Sequence, residues 1–146
     1  KVFAKGALIL YTNAISKGIA KKIKEIYPNT KIEVDAVTSN AFGKIFVMVI
    51  SSNTKCGIGG MRQLDLTFDV SYVCKEKDNT EYNDWLKNMY SRFEIIETEE
   101  AAYRTKNMCG EKGEGIYHFI FDVTARYLIR NDDVKMNALK QKGGCK

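Results

Sequence analysis

The thirteen residues Gln63 to Lys75, QLDLTFDVSYVCK, alternate almost without error: Leu64, Leu66, Phe68, Val70 and Tyr72 fall on one face, Asp65, Thr67, Asp69 and Ser71 on the other. A period of two marks a strand with one buried face. At roughly 3.3 Å per residue this strand runs about 40 Å. A compact chain of 146 residues has a radius of gyration of about 15 Å. The strand is therefore as long as the domain is wide, and either it bends at a bulge or its end projects as half of a hairpin arm.

Upstream, from about Leu10 to Tyr27, Tyr11, Ile15, Ile19, Ile23 and Ile26 recur at steps of four and three, with Lys17, Lys21, Lys22 and Lys24 elsewhere on the wheel. This predicts an amphipathic helix ended by Pro28. Lys31 to Val37 alternates as a half-buried strand, and the apolar run Lys44 to Ile50 (KIFVMVI) reads as a central strand covered on both faces. Ser51 to Met61 (SSNTKCGIGGM) holds three glycines and no hydrophobic period, and predicts a mobile loop. It lacks the Gly-Lys-Ser/Thr ending of a phosphate-binding loop.

Downstream, Asp78 or Asn79 can cap a helix from Thr80 to about Phe93, whose stripe is Tyr82, Trp85, Leu86, Met89, Tyr90 and Phe93. Short strands follow at Glu94 to Glu97 and Ala101 to Met108, then a turn over Gly110 to Gly115. A second long strand, Ile116 to Ile129, has Tyr117, Phe119, Phe121, Val123, Ala125 and Tyr127 on its apolar face. The order is helix, three strands, helix, three strands. It predicts one α+β domain over residues 1–130 and a weakly ordered polar tail over 131–146.

The composition, 45% hydrophobic and 28% charged, suits a packed core. The apolar run Gly6 to Tyr11 is too short for a signal h-region or a spanning helix, so no export and no membrane are expected. Cys56, Cys74, Cys109 and Cys145 offer no closely spaced zinc pair, and they read as reduced thiols of a cytosolic protein. The net charge of +5 is unevenly spread. Residues 1–60 carry nine basic against three acidic side chains, residues 61–100 five against ten, and residues 101–146 nine against five. Such blocks fit solvated faces, or surfaces that dock against copies of the same chain, better than the continuous positive field that a polyanion rewards.

No catalytic, cofactor or metal residue is predicted. His118 is the one histidine; Cys109 lies nine residues before it across a glycine turn, where pairing of adjacent antiparallel strands could bring the two together, which keeps a Cys/His hydrolase as an alternative. A small nucleic-acid-binding module is a second alternative, on the basic charge and the strand aromatics, although the aromatic positions share faces with aliphatics as core residues do.

The segments GGMRQLDLTFDVSYV (59–73), EYNDWLKNMYSRFEII (81–96), YRTKNM (103–108) and EGIYHFIFDVTARY (114–127) together resemble the tail terminator proteins of tailed phages, in particular the branch of contractile-tailed phages, defective prophages and phage-tail-like bacteriocins. The resemblance implies a mostly antiparallel sheet with long strands packed by two helices. It further implies a six-fold homo-oligomeric ring that caps the head-proximal end of the tail tube, halts tube and sheath polymerisation, and meets the collar or head connector. Self, tube protein, sheath protein and connector are the implied partners, with DNA only as passing cargo, and assembly takes place in the bacterial cytoplasm. Contacts with neighbours or tube are expected from the hairpin region Ser51 to Arg62, through Asn53, Lys55, Ile58, Met61 and Arg62, and from His118, Arg126 and Arg130.

Overall fold

The computed structural model describes residues 4–36, 42–74, 79–113 and 115–128, with side chains from residue 11 onward. Helix α1 (Ala4–Ile26) leads into β1 (Lys31–Val34), β2 (Lys44–Cys56) and β3 (Met61–Val73). Helix α2 (Asn79–Arg92) precedes β4 (Ile95–Glu97), β5 (Ala102–Gly113) and β6 (Ile116–Leu128). The element order is the one read from the sequence.

The strands form one sheet in the order β1-β2-β3-β6-β5-β4. Only β1 and β2 pair in parallel; every other pairing is antiparallel. The alternating residues of β3 and β6 meet face to face, Leu64 opposite Ala125, Leu66 opposite Val123, Phe68 opposite Phe121 and Val70 opposite Phe119. All eight are buried. Ile15, Ile19 and Ile23 of α1 and Trp85 and Met89 of α2 join the same core cluster, so both helices cover one face of the sheet. Helix α1 packs against β1 and β2 at one edge and β4 at the other, which means that the sheet curls around it. The opposite face of β3 and β6, the open face, is mainly polar and half-exposed, with Val73, Ile116 and Ile120 among its residues.

Of the two resolutions, β3 takes the hairpin arm, pairing with β6 without a register break, and the bulge falls on its partner β2. β2 has a bulge between Val49 and Ser51, and beyond it Ser51 to Cys56 stay paired with β3 as the outer half of a hairpin, every one of them exposed. The segment Ser51 to Met61 is therefore a strand and a tight turn, not a mobile loop. Gly59 and Gly60 turn the chain with φ of 66° and 84°, a left-handed conformation that glycine adopts without a Cβ clash. KIFVMVI is covered on both faces only at its start: Ile45, Phe46 and Val47 are buried, while Ile50 is 53% exposed.

Other boundaries shift. Helix α1 starts at Ala4, because the apolar residues before Leu10 extend its first turns. β1 stops at Val34, where Asp35 takes φ 54°. Gly110 to Gly113 belong to β5, held in its ladder by Phe119, His118, Tyr117 and Ile116, so the turn begins only after Gly113. Tyr90 of the α2 stripe is 41% exposed. Cys56 is disulfide-bonded, against the expectation of reduced thiols throughout, whereas buried Cys74 and exposed Cys109 are free. The Asp78 cap, the end of the predicted strand at Val37, Arg130, Cys145 and the tail 131–146 lie outside the described residues.

Candidate assembly surface

The structure gathers most of the expected contact residues at one end of the sheet. Ile58, at the hairpin turn, is 95% exposed; Met61 is 39% exposed and stands opposite Leu128, itself 55% exposed. Arg62 faces Tyr127 and Gln63 faces Arg126, so the basic end of β6 flanks the hairpin. Lys55 lies 3.7 Å from Asp65, and Arg62 donates to the carbonyl of Met61 at 2.9 Å. The result is a projecting apolar tip ringed by Lys55, Arg62 and Arg126. Clustered exposed apolar side chains with a polar rim mark a surface that a partner covers.

Asn53 belongs to the open face behind the tip. There Asp65 accepts from Thr124 Oγ1 at 2.8 Å and from Gln63 Nε2 at 3.1 and 3.2 Å. Asp122 accepts from Thr67 Oγ1 at 2.7 Å and from Asn107 Nδ2 at 2.8 Å, and Lys106 donates to Thr124 at 3.1 Å. Asn107 reaches Asp122 because it sits in a β5 irregularity with φ 54°. Asn53, Lys55 and these residues line a shallow groove of about 400 Å³. The Thr124 hydrogen bond holds the Asp65 carboxyl below its usual 3.8, burial opposing, with Gln63, Lys55 and Lys106 helping.

That depression has a testable sign. A carboxylate whose folded pKa lies below its unfolded value stabilises the fold above about pH 4 and loses the contribution as pH falls through the folded value. Asp65→Asn should therefore cost roughly 1 kcal/mol at pH 7, discounted for partial exposure, and less at pH 3. Urea titrations of both proteins at the two pH values measure this. A cost that grows towards acid would refute the assignment.

His118 is not part of the tip. Its partner across the ladder is Ser71, and its Nδ1 lies 3.0 Å from Asp69 Oδ2 and 3.1 Å from Ser71 Oγ. A serine, a histidine and an aspartate in contact invite a hydrolase reading, but both partners meet the same ring nitrogen. A triad needs the acid and the nucleophile on opposite nitrogens. Cys109 faces Ile120, with Glu111 opposite His118, so the Cys/His pair is not assembled either. Among the described residues, no group of His, Cys, Asp and Glu is arranged to hold a metal ion. The open face presents Asp65, Asp69 and Asp122, which repel phosphate, and the one ring among its β2 and β3 positions, Phe46, is buried. Neither alternative, hydrolase or nucleic-acid module, finds its chemistry in these residues. No helix among the described residues is long and apolar enough to cross a membrane.

A second feature escaped the sequence reading. Where α1 ends, Tyr27, Ile45, Tyr72 and Trp85 enclose a cavity of about 200 Å³ with Glu81, Asp84 and Asn88 of α2 on its wall. Burial pushes the Tyr27 hydroxyl up, Asn88 opposes by donating to it at 3.2 Å, and Asp84 and Glu81 push it further. Burial raises Tyr72 likewise, with Glu81 next. The cavity is aromatic and acidic, at the far end of the sheet from the basic tip.

Comparison with known proteins supplies the family. No curated protein matches the chain. Among eighteen matching solved chains, one known only by a sequence designation is 12% identical, aligned over 83% of this chain and 94% of that one with a TM-score of 0.47. A family model described as phage tail terminator protein matches residues 14–135, from the middle of α1 past the end of β6. The chain belongs to the phage tail terminator family and is thus a structural component of the phage tail.

Proposed function

We propose that the chain closes into a ring, a hexamer by analogy with the family resemblance, that caps the head-proximal end of a tail tube. The cap ends polymerisation of tube and sheath and offers its other side to the collar or head connector of a contractile or phage-tail-like particle. The single observation that carries this reading is the outer hairpin half, Ser51 to Arg62, which is paired and ordered yet exposes Ile58 and Met61. A rigid apolar tip held away from its own core suits a subunit that meets other subunits. The partners are further copies, tube, sheath and connector proteins; DNA is only cargo passing through; and the cap is assembled in the bacterial cytoplasm.

Excising Asn53 to Gly60 would leave Ser52 and Met61, which are out of register, joined across the hairpin, so point changes are cleaner. Ile58→Asp combined with Met61→Asp should leave stability within about 0.5 kcal/mol, as for other exposed positions, and abolish capping. Tubes assembled with the variant should then be long and widely distributed in length by electron microscopy. Tube lengths unchanged from wild type would overturn the proposal.

A further inference from the structure

We infer that the aromatic and acidic cavity at the end of α1 is the socket for the hairpin tip of the next copy of this chain, an inference that rests on the ring reading. Tip and socket lie at opposite ends of one hairpin. The socket's Ile45 and Tyr72 face each other at its base, and Cys56 faces Arg62 at its tip, eleven residues along β2. At roughly 3.3 Å per residue that is about 35 Å, so a subunit cannot fill its own socket. A contact between two different patches is heterologous, the kind that generates a closed ring or an open helix.

Chemistry selects the occupant. The cavity wall joins apolar Ile45 and the rings of Tyr27, Tyr72 and Trp85 to two carboxylates, Glu81 and Asp84, neither of them in an ion pair with a described residue. The tip joins an isoleucine that is 95% exposed to Arg62 and Arg126, neither of which has a described acidic partner. Ile58 fills the apolar floor and the arginines meet the carboxylates, aided by guanidinium stacking on the rings.

The test places a benzoylphenylalanine photocrosslinker at position 58 of the full chain and maps the links in capped tubes by mass spectrometry. Links should fall on the peptides carrying Tyr27 and Glu81 to Asn88 of a second copy. In parallel, Glu81→Lys with Asp84→Lys, and separately Arg62→Glu with Arg126→Glu, should each lower ring yield about tenfold or more. Uniting all four changes in one chain should restore it to within a few-fold. Glu81, Asp84 and Arg126 are exposed, Arg62 is half-buried, and none of the four is in an ion pair with a described residue, so folding is spared.

Rings whose crosslinks map elsewhere, or a united variant no better than its parents, would overturn the socket and leave the ring reading standing. A wild-type chain that forms no ring, free or on tubes, would overturn both, and it is read before any variant is made.

Discussion

Phe119→Ala should lower the unfolding free energy by about 3–5 kcal/mol, the range for emptying a fully buried aromatic site. Phe119 is 0% exposed on β6, a strand paired on both sides. Its ring meets Trp85 at 6.5 Å and 90°, Tyr90 at 5.6 Å and 80°, Phe93 at 5.6 Å and 69°, and Phe121 at 5.4 Å and 42°. Three of these are edge-on or nearly so, the arrangement in which aromatic quadrupoles attract. The surrounding groups are stiff rings and a strand fixed by two neighbours, so the site cannot collapse and the cavity remains. The same residue ties α2 to the sheet, hence its loss should also loosen the wall of the cavity that α2 builds. Urea unfolding at 25 °C measures the effect through the midpoint, with the slope unchanged. A cost below about 1.5 kcal/mol would mean that the cluster repacks and is not the hub described. Tyr90→Ala, which removes a half-exposed partner of the same ring, should cost less.

How much of this was legible in advance depended on burial asymmetry. β3 and β6 were read correctly because each has one face in the core and one in water, which imprints a period of two. Ile15, Ile19 and Ile23 imprinted a period near four for the same reason. Ser51 to Cys56 carry no imprint, because both of their faces are in water; their strand conformation comes from the ladder with β3, a template that lies later in the chain. Asn53, Lys55, Ile58, Met61 and Arg62 could be named as one hairpin region but not set beside Arg126, and the contacts of His118 were not read, because only the register of β3 against β6 sets Arg62 beside Tyr127 and Ser71 beside His118. Pairing the two longest alternating strands core face to core face would have exposed that network. The socket had no such signal. Tyr27, Ile45, Tyr72 and the α2 carboxylates come from four separate elements; register joins Ile45 to Tyr72, and the packing of both helices on one face of the sheet brings the rest to them.

Gly18 is where α1 packs against β4 on the far side of the sheet's curl, and its replacement should give the other large effect. A Cβ on Gly18 would lie 2.6 Å from the carbonyl oxygen of Glu97 and 3.1 Å from Ile96 Cγ2. Glycine inside a helix costs roughly 0.5–1 kcal/mol relative to alanine, so local propensity alone predicts that Gly18→Ala stabilises. The contact predicts the reverse. Its obstacle is backbone, which cannot rotate away, and β4 is a three-residue edge strand paired only with β5. Admitting a methyl group means pushing α1 off β4 or peeling β4 from the sheet, which also strips Ile96, 0% exposed, of its cover. Lys22 Nζ donates to the Ile95 carbonyl at 2.5 Å across the same seam and would be displaced with it. Overpacking of this kind costs typically about 1–3 kcal/mol, which exceeds the propensity gain, so Gly18→Ala should be net destabilising by about 1–2 kcal/mol, and Gly18→Val, bulkier and β-branched, by about 3 or more. Asn13→Ala, at an exposed position of the same helix, isolates the propensity term and should be neutral or stabilising. Opposite signs for the two alanine substitutions in denaturant titrations would establish that α1 is clamped by the far edge of the sheet; a stabilised Gly18→Ala would show that the seam yields and that the sheet is held open by something other than this helix.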